Sequence, residues 1–242
     1  MNAAFLTSGI LALACMASCT NPSDQSDPIV KKDDVICSDL AILGLQPGVK
    51  IFREDTYEAQ FIDGQWQHVR EQFLGRTDFE FSEQGELLRS RQFDEEGLIL
   101  TQEMTREQGT TRLTAFNRAG QQLGYEVWTT IGDERRIQRY DEVDSLMDVT
   151  RLTLVNCAVK AEVIQDPLAA MEDIQVAHEI DAFNLPITSS WIATAGDTLQ
   201  FIEFEYTQKD AHGNPIYIVE HQRIGNKYPV KDVFKQRTIE YY

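Results

Sequence analysis

One short pattern repeats through residues 79–140 and constrains the fold more than any other feature. An aromatic residue precedes a short polar turn, and an alternating run follows the turn. The pattern occurs at Phe81–Gly85, Phe93–Gly97, Phe116–Gly120 and Tyr140–Asp144, the last with Asp in place of Gly. The spacing between the later units leaves room for two strands and two turns. The repeats therefore predict successive antiparallel β-hairpins.

The alternation within the units predicts a sheet with one apolar face and one polar face. The predicted apolar positions are Leu98, Leu100, Leu123, Tyr125, Val127, Leu152 and Leu154. The predicted polar positions are Glu103, Glu126, Arg135, Arg139 and Arg151, which we interpret as cross-strand partners on a solvated face.

Hairpin signals also lie outside the repeats. Asp63-Gly64 separates two alternating runs and predicts a type I′ turn. We predict a mainly all-β fold in a single domain, residues 35–242: an antiparallel meander of repeated hairpins that forms an extended curved sheet or an open barrel. The segment near 166–178 predicts either a short helix, with Asp166 as its cap and Pro167 at its first position, or a loop that leads into a strand from Ile174.

The charge balance narrows the classes of partner. The chain carries 39 acidic and 22 basic residues, a formal net charge of −17. Nucleic-acid affinity comes mainly from Lys and Arg that neutralise phosphates, so nucleic acid is excluded as a partner. The same balance argues against docking on an anionic lipid surface through a basic patch.

The amino terminus indicates export. Residues 1–18 are uncharged, and their apolar core, Ala3–Ala14, is too short to span a bilayer; a run of this kind followed by small residues is typical of a signal peptide. Its end, Met16 to Cys19, resembles the lipobox of bacterial lipoproteins, with Cys15 as a second match. The resemblance implies a palmitate-bearing anchor on Cys19, followed by a flexible tether over 19–34. An ordinary signal peptide with unmodified Cys19 is the alternative, and equal palmitate labelling of wild type and Cys19→Ala would favour it.

The cysteine count leaves two residues for the domain. If Cys15 leaves with the signal peptide and Cys19 is the anchor, Cys37 and Cys157 remain in a compartment where disulfides persist. We predict a disulfide between them, with two separate buried thiols as the alternative.

The repeats also resemble a known family. The Tyr/Phe-Asp-x-x-Gly units, the piece Leu45–Lys50, and the ending with Asp210–Asn214 and Arg237–Tyr241 are similar to uncharacterised bacterial lipoproteins with RHS/YD-like repeats. The resemblance implies a β-rich protein of the cell envelope, with the outer membrane favoured and the domain facing the periplasm or the exterior. It supplies no catalytic residue.

The sequence contains no catalytic, cofactor or metal signature. The four histidines, His68, His178, His212 and His221, lack metal-ligand spacing, and there is no Cys-x-x-Cys. The acidic turns 94–97 and 141–144 lack the spacing of calcium loops and are expected to be solvated. The tryptophans at 66, 128 and 191 are expected in the core, with a sugar-binding platform as the alternative for one of them.

Three hypotheses about function follow. The first is a non-enzymatic envelope lipoprotein, tethered to a membrane, that acts as a scaffold or binding module for a protein, glycan or lipid. The second is a carrier of a lipid or another hydrophobic ligand inside an open barrel. The third is a glycan-processing enzyme, which would need two carboxylates at glycosidase separation.

Overall fold

A computed structural model describes residues 37–107, 110–166, 172–194, 196–225 and 231–242. The described residues form one short helix, α1 (Asp39–Ile42), and fourteen strands. The strands are β1 (Val49–Ile62), β2 (Gln65–Phe81), β3 (Leu87–Asp94), β4 (Gly97–Glu107), β5 (Thr110–Asn117), β6 (Gln122–Ile131), β7 (Glu134–Asp141), β8 (Leu146–Val155), β9 (Ala158–Gln165), β10 (Ile174–Ile180), β11 (Pro186–Ala193), β12 (Thr198–Lys209), β13 (Pro215–Ile224) and β14 (Lys231–Tyr241).

The strands form an antiparallel meander that closes into a barrel. Each strand pairs with its neighbours in the sequence, and β1 pairs with β14 through positions such as Glu54 opposite Arg237. The predicted all-β fold and its antiparallel hairpins are confirmed, and the sheet closes completely. Closure pairs the two strands that would otherwise be sheet edges, which removes sites where another chain could add a strand.

Six tight turns share one hydrogen-bonding pattern. The first residue's N–H donates to the carbonyl four residues on, and the fourth residue's N–H donates back to the first carbonyl. The six turns start at Ser82, Asn117, Asp141, Asp181, Ala193 and Asp210. The fourth residue has a positive φ in each turn, as in Gly120 (77°), Asp144 (64°) and Asn184 (63°). Asp and Asn tolerate this left-handed conformation, which explains why one repeat can lack its Gly.

One repeat unit forms a different turn. Asp94 pairs directly with Gly97, so only Glu95 and Glu96 form the loop. The carboxylate of Asp94 accepts the N–H of Glu96 at 2.8 Å. The four units predicted from the sequence are therefore alike in spacing but not in turn geometry.

Helix α1 closes one end of the barrel, which we call the helix end. Ser38 caps the helix by accepting the N–H of Ala41 at 3.2 Å. Leu40 N–H donates to Gly85 O at 3.0 Å, and a Cβ on Gly85 would lie 3.0 Å from the Leu40 side chain. A hydrophobic core surrounds the helix, formed by Leu40, Ile42, Leu45, Val49, Phe52, Phe81, Leu87, Met104, Leu113, Trp128, Ile137, Leu152, Leu154, Ala158 and Val159. We call the sheet face that packs on this core the lumen face, and the opposite face the outer face.

On strand β6, the face that packs on the core is the opposite of the predicted one. On β6, Glu126 and Trp128 are buried on the lumen face, whereas Leu123, Tyr125 and Val127 alternate with them on the outer face. Arg135 and Arg139 of β7 lie opposite lumen-face positions of β6, so their side chains are on the lumen face as well. The expectation that Glu126, Arg135 and Arg139 lie on a wet outer face is wrong. On β8 the prediction is correct, because Leu152 and Leu154 are buried in the core.

The segment near 166–178 contains no helix over the part that is described. Strand β10 begins at Ile174, in agreement with the alternative of a loop that leads into a strand, while 167–171 lie outside the described residues. Helix α1, which the sequence did not predict, is too short to show an apolar period. Within the described ranges, no helix has the length and apolarity required to cross a membrane.

Candidate functional site: the barrel lumen

Asp39 of α1 ties the helix end of the lumen together. Its Oδ1 lies 2.9 Å from Nη1 of Arg135, and its Oδ2 lies 2.8 Å from Nη2 of Arg106. Oδ2 also accepts the N–H of Leu87 at 2.9 Å. Breaking a buried ion pair leaves an uncompensated charge, which is strongly destabilising. Asp39 therefore fixes the helix to β3, β4 and β7, and this end of the lumen is filled.

A network of charges lies on the lumen wall formed by β1, β13 and β14. Lys235 Nζ lies 3.1 Å from Glu54 Oε1 and 2.7 Å from Glu220 Oε1, and Arg237 Nε lies 2.8 Å from Glu54 Oε2. Burial alone would raise the pKa of Glu54, but the charges of Lys235 and Arg237 outweigh it and lower the pKa to about 2. Glu54 is thus ionised throughout the ordinary pH range.

A second polar group lies on β6, β7 and β8. Arg139 Nε is 3.2 Å from Glu126 Oε1, and Arg139 Nη1 is 2.8 Å from Asp148 Oδ2. The indole N–H of Trp128 donates to Glu126 at 2.8 Å. The other oxygen of Asp148, Oδ1, is buried and has no hydrogen-bond partner among the described residues. Burial raises the pKa of Asp148 in spite of the neighbouring Arg139.

Glu162 and His178 form the third polar group, on β9 and β10. His178 Nδ1 lies 2.7 Å from Ser189 Oγ, whereas Nε2 is buried without a hydrogen-bond partner in the part of the chain described. Glu162 Oε1 is 3.8 Å from this Nε2. Burial raises the pKa of Glu162 to about 7 and lowers the pKa of His178 to about 3. At neutral pH the imidazole is therefore uncharged, and the pair is not a salt bridge.

Apolar side chains lie beside this third group, toward the end of the barrel opposite the helix. Strand register places them on the lumen face. Val176 lies opposite Glu162 on one side and opposite Trp191 on the other, and Ile174 lies opposite Ile164. Solvent reaches part of each of these side chains: Ile164, Ile174, Trp191, Ile202 and Phe204. We call these five residues the lumen patch. An apolar patch next to unpartnered polar atoms can bind a molecule with an apolar part and a polar group.

Replacing Glu162 with Gln is expected to stabilise the fold at pH 8 and to change little at pH 4.5. The folded pKa of Glu162 is about 7 against its usual 4.5, so its contribution to stability is lost as pH rises through that window. Gln removes the buried charge, which we expect to add about 2–3 kcal/mol at pH 8. Urea denaturation measures the difference at each pH.

Glu103→Gln is the matched control for this prediction, since Glu103 is exposed on the outer face. It should leave stability unchanged at both pH values. The lowered pKa of His178 has the opposite effect on stability. The contribution of His178 to the stability of the fold grows as pH rises from about 3 to 6.5. Both variants keep His178, so its contribution cancels in the comparison. An equal gain for Glu162→Gln at both pH values would contradict a raised pKa.

The structure places the residues singled out in the sequence in separate parts of the fold. A disulfide joins Cys37 to Cys157 with a Cα–Cα distance of 5.1 Å. Cys19 and the predicted signal peptide and tether lie outside the described residues. Trp128 is buried in the core, Trp191 belongs to the lumen patch, and Trp66 lies on the outer face.

Sequence reasoning missed Glu162, His178 and Asp148 as site residues. They come from three strands, and only the register of the folded sheet brings them to one face. No local spacing signals such a group. Among the described residues, no group of three or more His, Cys, Asp or Glu side chains could hold a metal ion.

The molecule is thus an all-β antiparallel barrel with a polar and apolar lumen. No family model and no curated protein matches the chain. Solved structures with similarity include a porin-like protein from Bacteroides uniformis, with 12% identity and a TM-score of 0.46 over 80% of this chain and 98% of that one. A putative outer membrane lipoprotein-sorting protein domain from Vibrio parahaemolyticus has 9% identity and a TM-score of 0.30 over 80% and 85%. A LolA superfamily protein from Nitrosomonas europaea has 5% identity and a TM-score of 0.29 over 86% and 94%. Similarities this low carry no argument about ligand or activity.

Proposed function

We propose that this protein is a non-enzymatic carrier of an amphiphilic ligand, such as a lipid, in the bacterial cell envelope. The observation that carries the proposal is the lumen patch beside the unpartnered Nε2 of His178. The patch would bury the apolar part of the ligand, and His178 with Glu162 would meet its polar group. A buried polar atom without a partner is costly, and a ligand that supplies the partner removes that cost.

The side chains on the outer face favour a barrel whose outer wall is in contact with water. Exposed ion pairs lie on it, including Arg89 with Glu103 at 3.5 Å and Arg223 with Glu203 at 3.0 Å. Charged side chains are strongly disfavoured where a barrel faces the lipid interior of a membrane. We therefore infer that the lumen, and not the outer wall, receives the apolar ligand.

The envelope location rests on the amino terminus and on the cysteines. A signal peptide over 1–18, a lipid on Cys19 and a tether over 19–34 would place the barrel next to a membrane but in water. The disulfide between Cys37 and Cys157 fits such an oxidising compartment. A carrier so placed would exchange its ligand with the membrane surface.

Binding of a fluorescent fatty acid, measured by titration, tests the proposal with two variants of one strand. Phe204 belongs to the lumen patch, whereas Phe201, three residues earlier in β12, lies on the outer face near Arg223. Phe204→Gln is expected to weaken binding about tenfold or more, because burial of a Phe ring contributes about 1.5–3 kcal/mol.

Phe201→Gln is the matched control and should bind like the wild type. Equal weakening by both variants, or no binding by the wild type, would reject the lumen as a carrier site. In that case the scaffold hypothesis, which needs no ligand in the lumen, would replace the carrier.

A further inference from the structure

We propose a second binding site on the outer face, a groove that takes a neutral oligosaccharide. The groove lies between the tip of the β1–β2 hairpin and strands β12–β14. It contains two adjoining cavities of about 700 Å³ and about 880 Å³, which His68 and Tyr217 both line. This site is separate from the lumen and does not depend on the carrier function.

The groove exists because the hairpin tip folds over the outer face. The register of β1 with β2 shifts at Tyr57, and the strands beyond it leave the line of the barrel wall. Trp66 of β2 then contacts His221 of β13, with ring centroids 5.1 Å apart, and its indole N–H donates to Glu205 of β12 at 3.0 Å. Strands β1 and β14 lie between β2 and β13 in the sheet, so these contacts require the tip to cross over them.

Aromatic rings form the floor and sides of the groove. The ring centroid of Tyr57 lies 5.6 Å from that of Phe73 and 4.9 Å from that of His68. The ring centroids of Tyr217 and Phe234 are 5.6 Å apart. Flat aromatic faces pack on apolar faces at low entropic cost. A pyranose ring offers such a face through its C–H groups and surrounds it with hydroxyl groups.

The polar lining contains two charged residues, Arg76 and Glu205, and otherwise glutamine, threonine, tyrosine and histidine. Two amides face the groove, because Gln208 and Gln236 both lie opposite Tyr217 on the outer face. Gln60, Gln65 and Gln67 belong to the hairpin strands that border the groove, but they alternate with Phe61, Trp66 and His68, so their side chains point away from it. Neither Gln208 nor Gln236 makes a side-chain hydrogen bond within the part of the chain described; Gln208 is exposed and Gln236 is half-buried. Amides can donate to and accept from hydroxyl groups at the same time.

The charged groups near the groove already have partners in the protein. Arg76 Nε lies 2.7 Å from Asp55, and His221 Nδ1 lies 2.7 Å from Asp232. Glu205 accepts from Trp66. A cationic or anionic ligand would have to compete with these contacts, and a purely apolar ligand would leave the amides unsatisfied. A neutral glycan matches both the rings and the amides.

Calorimetric titration with a panel of neutral oligosaccharides, namely glucans, mannans and xylans, tests the inference. The wild type is expected to bind at least one member, and Trp66→Ala and Tyr217→Ala should each weaken that binding about tenfold. Phe183→Ala is the matched control, because Phe183 is an exposed aromatic residue in the β10–β11 turn at the helix end, and it should leave binding unchanged.

Three results would overturn the inference. The first is no binding of any member at millimolar concentration. The second is binding that Trp66→Ala and Tyr217→Ala both leave unchanged. The third is tighter binding of tetramethylammonium or polygalacturonate than of the neutral panel. Fatty-acid binding in the lumen should be the same in Trp66→Ala and wild type, so failure of the groove and failure of the carrier are told apart.

Discussion

Replacing Cys37 with Ser is expected to lower the free energy of unfolding by about 4–5 kcal/mol, because it opens the disulfide to Cys157. The two cysteines are 120 residues apart in the sequence, so the bond removes much of the freedom of the unfolded chain. It also fastens the residue before the α1 cap to the β8–β9 turn. Urea denaturation of the oxidised proteins gives the difference.

Two controls separate the bond from its surroundings. Cys157 has a φ of 66°, a left-handed conformation that costs a non-Gly residue of order 1 kcal/mol. Cys157→Gly should therefore lose less stability than Cys37→Ser. A reductant should destabilise the wild type and leave Cys37→Ser unchanged. If the wild type loses no stability in reductant while thiol counting shows that the reductant has freed two additional thiols, the bond does not stabilise the fold.

The turns were the most predictable part of the fold. Asp63 and Gly64 both have positive φ, 52° and 80°, as a type I′ turn requires. The polar side chain that opens several turns also satisfies backbone donors: Asp141 Oδ1 accepts from Val143 at 2.9 Å and from Ser145 at 2.8 Å. These interactions are local, so a few consecutive residues determine them.

The faces of the strands were less predictable, because alternation assumes an apolar interior. The lumen of this barrel is wide enough to hold ion pairs, and their partners are distant in the sequence. Glu54 and Arg237 are 183 residues apart and meet only because β1 pairs with β14. Alternation on a single strand cannot distinguish such a buried carboxylate from a solvated one.

The candidate site shows the same limit. Glu162 and His178 lie on the neighbouring strands β9 and β10, which are separated in the sequence by residues 166–173, and each looks like an ordinary polar position in its own strand. Their shifted pKa values come from burial, which depends on the rest of the barrel. The sequence alone could predict the hairpins that carry the site, but not which of the two faces is enclosed.

Glu126→Lys offers the sharpest test of this reversed face. In the wild type, Glu126 is 6% exposed and holds both Arg139 and the indole N–H of Trp128. The variant removes both acceptors and places a second positive charge next to Arg139 in the interior. We expect a loss of about 3–5 kcal/mol in the free energy of unfolding, measured by urea denaturation.

Two variants calibrate the result. Glu103→Lys makes the same charge change at an exposed ion pair with Arg89 on the outer face, where the cost should be about 0–1 kcal/mol. Leu123→Asp, on the outer face of β6 itself, should cost about 1 kcal/mol, because Leu123 is only half-buried. An apolar interior on β6 would give the opposite order, with Leu123→Asp unfolding the barrel and Glu126→Lys tolerated. The order of these two losses therefore decides which face of β6 lines the lumen.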